Sequence, residues 1–257
     1  MCSSDLHLQD DMVNAMVREM ELRREELTPS GIETIYFGGG TPSLLTPPQL
    51  DRILQAIVRV FSVDPSAEIT LEANPDDLSE ERLAAWKSMG VNRLSIGVQS
   101  FRDIDLQYMT RLHTADEALQ AVDRARRHGF HDLTIDLIYG TPSMNDEAWS
   151  ENLNTMKQLE LPHFSAYALT VEPRTALATL VRSRSVRAPE EEQVAAQFHQ
   201  LMQWAADNGY ENYEISNFAR PGRYSRHNTA YWNGVPYLGI GRSEEHTSEL
   251  QSPCNLV

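Results

Sequence analysis

The sequence predicts an α/β protein built on a parallel sheet, because strand-like and helix-like segments alternate along most of its length. Strand-like runs begin near residues 32, 67, 92, 132, 163 and 211, each separated from the next by helix-like sequence. Three of the helical segments end in a glycine that leads into a strand, at Gly90, Gly129 and Gly209. Such alternation is typical of a parallel sheet that is either open and doubly wound or closed into a barrel.

The first half of the chain begins with an amphipathic helix at residues 8–27. The β-branched and aromatic run 32–37 predicts a strand that stops at three glycines. Thr46 followed by Pro47 predicts the start of the next helix, an N-cap with proline at the first helical position. A strand, a helix and a strand are then predicted over AEITLEANP, SEERLAAWKSMG and NRLSIGVQS.

The second half predicts two short helices near residues 103–112 and 114–128, the latter with a capping box at Thr114 and Glu117. The next elements are the strand DLTIDLIYG, the helix NDEAWSENLNTMKQLE, the strand HFSAYALTV, the helix PEEEQVAAQFHQLMQWAADNG and the strand YENYEISNF. Residues 172–189 are read as a loop. No linker rich in Pro, Gly or Ser interrupts the series, so we predict a single domain over residues 7–241.

Composition restricts the class of partner. The formal charge of −15 and a pI near 4.9 argue against nucleic acid and favour a small molecule or a protein. No apolar run approaches the roughly 20 residues that span a bilayer, and no charged-then-apolar leader opens the chain. The sequence therefore predicts a cytoplasmic protein without a transmembrane segment.

Both ends differ from the middle, since MCSSDL (1–6) and RSEEHTSELQSPCNLV (242–257) lack periodicity. They can be read as disordered tails, but both resemble peptides translated from sequencing-adapter DNA, so we expect them to be foreign. They contain the two cysteines, Cys2 and Cys254, and no disulfide framework is suggested.

The stretch IETIYFGGGTPSLLT, residues 32–46, suggests a phosphate cradle, because a glycine-rich turn after a strand brings backbone N–H groups close to anions. It lacks the Lys-Ser/Thr ending of a P-loop and does not fit G-x-G-x-x-G. The glycines therefore need another explanation.

Hydrogen-bonding residues stand where each predicted strand ends, which in a parallel sheet is the ligand-binding edge. Strand ends are also polar simply because they meet solvent. Glu72 and Asp136, however, lie within apolar runs, where an unpaired carboxylate would be costly. Each is expected to have a partner, such as a ligand amine, a hydroxyl or Arg111. Arg111 itself is either a surface residue or a bidentate partner for a ligand carboxylate.

The motifs YFGGGTPSLL, ITLEANP, RLSIGVQSF, TIDLIYGTP and YEISNFARPG occur in order within residues 8–241. Together they resemble the radical S-adenosylmethionine (SAM) family that contains oxygen-independent coproporphyrinogen III oxidases and related haem chaperones. The resemblance implies a partial parallel (β/α) TIM-like barrel of about six strands. It also implies SAM and a [4Fe–4S] cluster as cofactors.

The same resemblance implies a set of SAM contacts. Gly39, Gly40 and Thr41 match the motif that receives the methionine amino group, and Ala168 lies where the adenine edge is approached. The remaining ligand-contacting positions are Glu72, Gln99, Arg111 and Asp136. The chemistry agrees, since an ammonium suits backbone carbonyls and a carboxylate, and a ligand carboxylate suits arginine.

One departure from the family is large. The family's C-x-x-x-C-x-x-C run precedes the first helix and supplies three thiolates to the cluster. This chain begins at that helix, and Cys2 does not restore the spacing. We expect a fragment of a longer gene product that lacks the first strand and the cluster loop, has no metal ligands of its own, and is catalytically inactive. About five barrel strands and an exposed edge would remain.

Residues His227, Asn228, Tyr231 and Trp232 resemble the H-N-x-x-Y-W signature of the haem-chaperone branch. Imidazole suits an axial haem position, and aromatic rings suit a porphyrin face. The same residues could equally form a packed, hydrogen-bonded loop that closes the barrel mouth.

Three functions follow from these resemblances. The first is a fragment of a haem chaperone that binds haem and SAM and delivers haem to recipient haem proteins. The second is an oxygen-independent coproporphyrinogen III oxidase of porphyrin biosynthesis. The third is a cluster-free α/β domain that binds a small molecule.

Overall fold

The structure is a computed structural model that describes residues 8–27, 31–173 and 175–241. The two ends predicted to be foreign, residues 1–6 and 242–257, lie outside the described residues, as do both cysteines. Across the described ranges, no helix is long and apolar enough to cross a membrane.

The helices are α1 Gln9–Leu22, α2 Pro47–Val60, α3 Glu80–Ser88, α4 Asp103–Tyr108, α5 Ala115–Arg127, α6 Asp146–Leu159, α7 Ala176–Arg182, α8 Glu191–Asp207 and α9 Arg226–Trp232. The strands are β1 Ile32–Phe37, β2 Val63–Ala73, β3 Arg93–Gln99, β4 Asp132–Tyr139, β5 His163–Ala168, β6 Glu211–Asn212 and β7 Asn217–Ala219. Short 3₁₀ turns lie at Pro42–Leu44 and Pro75–Asp77.

These strands form one seven-stranded sheet in the order β1-β2-β3-β4-β5-β7-β6. The β1–β2 and β4–β5 pairs are parallel, whereas β7 is antiparallel to both β5 and β6. The predicted α/β class with a mostly parallel sheet is confirmed.

The prediction for the last strand was wrong, because the segment from 211 forms a short antiparallel hairpin, not one more parallel strand. Glu214 explains the turn. Its carboxylate accepts hydrogen bonds from the backbone N–H groups of Ser216, at 2.9 Å, and Asn217. A side-chain acceptor that holds consecutive amides stabilises a tight reversal of the chain.

The described residues fall into two compact units, while the predicted single domain over 7–241 stays a prediction. The first unit contains α1, β1, α2, β2, α3 and α9. Its helix α2 begins where predicted, with Thr46 and Gln49 forming a capping box, and buries Leu50 and Ile53. The parallel β1–β2 ladder places Phe37 beside Leu71, so residues 38–41 emerge next to the end of β2.

The second unit contains α4, α6, α7, α8, β4, β5, β6 and β7, with most of α5 and β3. Its core is aromatic: the Phe164 and Phe218 rings stack with centroids 4.8 Å apart, and Trp149 is fully buried. The segment 172–189, predicted as a loop, contains α7, whose N-cap Thr175 accepts a hydrogen bond from the Ala178 backbone at 3.1 Å.

Candidate functional site

The glycine motif follows β1 in the first unit. Gly39 and Gly40 have φ values of 70° and 61°, in the left-handed region that favours glycine. The Gly39 N–H donates to Glu72 Oε2 at 3.2 Å. In a phosphate cradle the Gly39 N–H would donate to the bound anion. Here it already donates to a carboxylate, so the motif is unsuited to phosphate.

The carboxylate of Glu72, near the end of β2, organises this corner. The Tyr36 hydroxyl donates to Glu72 Oε1 at 2.7 Å, and Gly39 binds the other oxygen. Burial raises the pKa of Glu72, and these two hydrogen bonds act in the opposite direction. Two donors use about half of the roughly four acceptor positions of a carboxylate, so Glu72 has the chemistry to accept a ligand ammonium.

Gly38, the first of the three glycines, is required by a close approach. A Cβ at this position would lie 2.6 Å from Tyr36 Cε1 and 3.0 Å from Glu72 Oε1. Neither Tyr36 nor the role of Gly38 was identified from the sequence, because both depend on the hydrogen bond between Tyr36 and Glu72, which are 36 positions apart in the chain.

Replacing Gly38 by alanine is expected to destabilise the first unit by about 1–3 kcal/mol, because the added methyl group displaces the Tyr36 ring from Glu72. Urea unfolding followed by circular dichroism measures the effect. In a Tyr36→Ala background, most of this cost should disappear. Equal costs in both backgrounds would contradict the steric explanation.

Thr41 is half-buried and begins the 3₁₀ turn Pro42–Leu44, with its carbonyl accepting from the Leu44 N–H at 3.0 Å. The turn takes the chain from the glycines into α2. Of the predicted residues in this unit, Gly39 and Glu72 are in direct contact, and Thr41 lies two residues after Gly39 in the same loop.

The His227 motif lies on α9, a helix that was not predicted. Ser225 caps it by accepting from the Asn228 N–H at 3.3 Å. The Glu68 carboxylate of β2 accepts from the backbone N–H groups of Arg226, at 3.1 Å, and His227, at 3.0 Å. The start of α9 is thus fixed to β2.

The His227 ring packs on β1. Its Nδ1 forms a hydrogen bond with Thr34 Oγ1 at 2.9 Å, and its ring stacks on Tyr36 with centroids 4.8 Å apart. Burial lowers the pKa of His227, opposed by the nearby charge of Glu68. The imidazole therefore occupies the packed, hydrogen-bonded arrangement that the sequence left open.

The aromatic residues of the same motif face outward. Tyr231 and Trp232 are 46% and 52% exposed, and their rings meet edge to face with centroids 5.5 Å apart. Asn228 is half-buried. Two large exposed rings on one helix end provide an apolar surface suited to a flat ligand.

In the second unit, Gln99 is the last residue of β3 and is 7% exposed, with a φ of 69°. A buried non-glycine residue in the left-handed region is strained and persists only where its surroundings impose it. Such strain is concentrated at functional positions, which agrees with the role expected for Gln99.

The support for this turn is Asp105, a fully buried carboxylate that was not predicted as a site residue. Its Oδ2 accepts from Ser100 Oγ and Arg102 Nη1, each at 3.1 Å. Its Oδ1 accepts from Thr141 Oγ1 at 3.0 Å and Ser143 Oγ at 2.6 Å. Asp105 thus ties the segment after β3 to the segment after β4.

The other predicted positions of this unit lie on strands or on an anchored turn. Half-buried Asp136 pairs with Ser165 in the β4–β5 ladder, and Ala168 ends β5. Half-buried Arg111 follows α4, and nearby His113 bonds the Val98 carbonyl through Nε2 at 3.0 Å. This bond anchors the Arg111 segment to β3.

The two predicted cofactors differ in their fit to these residues. Left-handed glycines beside a hydrogen-bonded carboxylate suit the amino end of SAM. A [4Fe–4S] cluster does not fit, because the sequence has cysteines only at 2 and 254, and the described part of the chain contains no group of three or more His, Cys, Asp or Glu suited to a metal.

Comparison with known proteins decides the family. The model of the radical SAM superfamily matches residues 4–156. The chain belongs to the radical SAM superfamily. SAM and a [4Fe–4S] cluster are the cofactors that this family implies.

Among curated members, the haem chaperone HemW of Lactococcus lactis is 40% identical over 210 residues, or 82% of this chain and 55% of the relative. HemW of Bacillus subtilis is 37% identical over 233 residues, or 90% and 62%. The solved Escherichia coli coproporphyrinogen III oxidase, HemN, matches 90% of this chain and 53% of its own, with a TM-score of 0.74 and 25% identity. The predicted radical SAM partial-barrel fold is confirmed, and the chain spans less than two thirds of each of these relatives.

Proposed function

We propose that this chain is the SAM-binding part of a radical SAM haem chaperone, which binds SAM at the glycine motif and haem at the α9 motif and passes haem to recipient haem proteins. A cytoplasmic location, predicted from the sequence, is part of the proposal.

The observation that carries the haem part is the aromatic pair of the H-N-x-x-Y-W motif. Tyr231 and Trp232 are about half exposed although both are large aromatic residues, and Tyr237 lies against Tyr231 with centroids 5.5 Å apart. An exposed group of aromatic rings supports contact with the face of a porphyrin. The similarity to HemW proteins supports the same assignment.

The second candidate function is that of an oxygen-independent coproporphyrinogen III oxidase, favoured by the likeness to HemN. Both candidates bind a tetrapyrrole. They differ in that a chaperone holds haem, whereas an oxidase recognises an iron-free porphyrinogen with four propionates.

A titration of the 257-residue chain with haem, followed at the Soret band, tests the proposal. We expect saturable binding, weakened about tenfold by Trp232→Ala because an aromatic contact of about 1.4 kcal/mol is lost. Phe198→Ala is the matched control, since Phe198 is 39% exposed on α8, and it should bind haem like the parent chain.

A haem-transfer assay completes the test. Haem bound to the chain should transfer to a haem-free globin. Absence of a Soret change, or equal affinity in the Trp232→Ala variant, would contradict the haem proposal. Tighter binding of iron-free coproporphyrin III than of haem would favour the oxidase.

A further inference from the structure

His227 is connected to the glycine motif by a continuous series of contacts within the first unit. Its ring stacks on Tyr36 at 4.8 Å with an interplanar angle of 24°, and the Tyr36 hydroxyl donates to Glu72 at 2.7 Å. Glu72 in turn accepts from the Gly39 N–H at 3.2 Å. Three contacts therefore join the α9 motif to the predicted SAM loop.

The His227 end of this series is fixed to two strands. Thr34 and Tyr36 are two residues apart on β1, so their side chains project from the same face. Thr34 holds the imidazole Nδ1 at 2.9 Å, and Glu68 of β2 holds the backbone of His227 at 3.0 Å. The imidazole ring is thus held in one position against the Tyr36 ring.

The Tyr36 ring is also close to the backbone of Gly38. The position that a Cβ of Gly38 would occupy is 2.6 Å from Tyr36 Cε1, so the phenol ring lies directly against the glycine backbone. A ring that contacts both an imidazole and a glycine backbone has few alternative orientations, and in the observed one its hydroxyl donates to Glu72. Loss of the imidazole would free the ring to turn away.

We propose that His227 is a positioning residue for the glycine motif: it fixes the Tyr36 hydroxyl and, through it, the Glu72 carboxylate that receives the amino group of SAM. This inference rests on the proposed function for its SAM part. The positioning of Glu72 is a property of the chain itself. The α9 motif consequently acts on the SAM loop as well as on the haem face proposed for Tyr231 and Trp232.

A double-mutant cycle tests this proposal with the Glu72 carboxyl as the reporter. Nuclear magnetic resonance of ¹³C-labelled glutamate side chains gives the pKa of Glu72 in the parent chain and in the His227→Ala, Tyr36→Phe and doubly substituted variants. Tyr36→Phe removes a donor to the carboxylate and is expected to raise that pKa further. His227→Ala should raise it in the same direction in the parent chain and have no further effect in the Tyr36→Phe background.

His227→Phe is the conservative variant, because it keeps an aromatic ring over Tyr36 while losing the Thr34 hydrogen bond. It should retain most of the parental Glu72 pKa. His227→Leu, which has no ring but fills more of the space than alanine, takes the place of His227→Ala if that variant does not fold. His199→Ala, at an exposed position on α8, is the matched control and should leave Glu72 unchanged.

The proposal is overturned if His227→Ala, or His227→Leu in its place, leaves the Glu72 pKa at its parental value, or if the effect persists in the Tyr36→Phe background. SAM titration by calorimetry forms the second arm, where each single substitution should weaken binding about tenfold and the pair no more than either alone. A parent chain that binds no SAM would refute the SAM site while the Glu72 titration still decides the positioning role.

Discussion

Asp105→Ala is expected to lower the free energy of unfolding of the second unit by about 3–5 kcal/mol, the largest stability effect that we predict for this chain. The carboxylate is fully buried and accepts from three hydroxyls and one guanidinium. Removing it leaves these donors without their acceptor in a site with little water. Removing one partner of a buried charge pair costs far more free energy of unfolding than the intact pair contributes.

Asp105→Asn should cost less, about 1–3 kcal/mol, because the amide keeps one acceptor oxygen but turns an NH₂ group toward donors. Urea unfolding monitored by circular dichroism gives both values. Asp207→Asn is a matched control in the same unit, since Asp207 is exposed at the end of α8 and should change stability by less than about 0.5 kcal/mol. An Asp105→Ala chain as stable as the parent would show that the hydrogen bonds of Asp105 do not hold together the segments that follow β3 and β4.

Glu72→Gln is expected to weaken SAM binding by about 10- to 100-fold, because a charge-assisted hydrogen bond to an ammonium contributes about 1.5–3 kcal/mol. Glutamine cannot carry the negative charge, and its amide presents a donor toward Tyr36 or Gly39. This is the largest effect on ligand affinity that the site predicts.

The same substitution changes how stability depends on pH. Burial raises the pKa of Glu72, so between the ordinary value of about 4.3 and the raised value the folded chain binds more protons than the unfolded chain. The free energy of unfolding of the parent, relative to that of Glu72→Gln, should therefore fall as pH rises through this window. Above the window the difference should stay constant at its lowest value. A difference that is constant with pH would contradict a raised Glu72 pKa.

Local signals predicted the elements well where helix caps and periodicity agree. Thr46 with Gln49 fixed the start of α2, and the glycines at 90, 129 and 209 adopt the positive φ values expected after helices. Helix α9 was not predicted, because none of its residues is fully buried and its sequence therefore lacks the apolar periodicity of a core-facing helix. The only local indication of this helix is its N-cap residue, Ser225. Strand β2 begins at Val63, earlier than the predicted start near residue 67, and the added segment contains Asp64 and Pro65, residue types that local propensity favours in turns.

For the candidate site, the polar strand ends indicated Glu72, whose position follows from the topology of parallel strands, and the family resemblance indicated Gln99. Tyr36 and Asp105 escaped prediction because their partners are distant in sequence: Tyr36 binds Glu72, and Asp105 binds Thr141. No local pattern encodes which distant donor a carboxylate will meet. The resemblance of motifs to a family predicted ligand contacts, whereas the residues that hold the predicted positions in place could be identified only from the structure.

Calorimetric titration of the parent chain and Glu72→Gln with SAM tests the amino-end site most directly. The predicted result is saturable binding to the parent, retention of that affinity in the exposed control Glu147→Gln, and a loss of at least about tenfold in Glu72→Gln. Binding of SAM with the same affinity by the parent and by Glu72→Gln, or no binding by the parent, would contradict the assignment of Glu72 and the glycine motif to SAM.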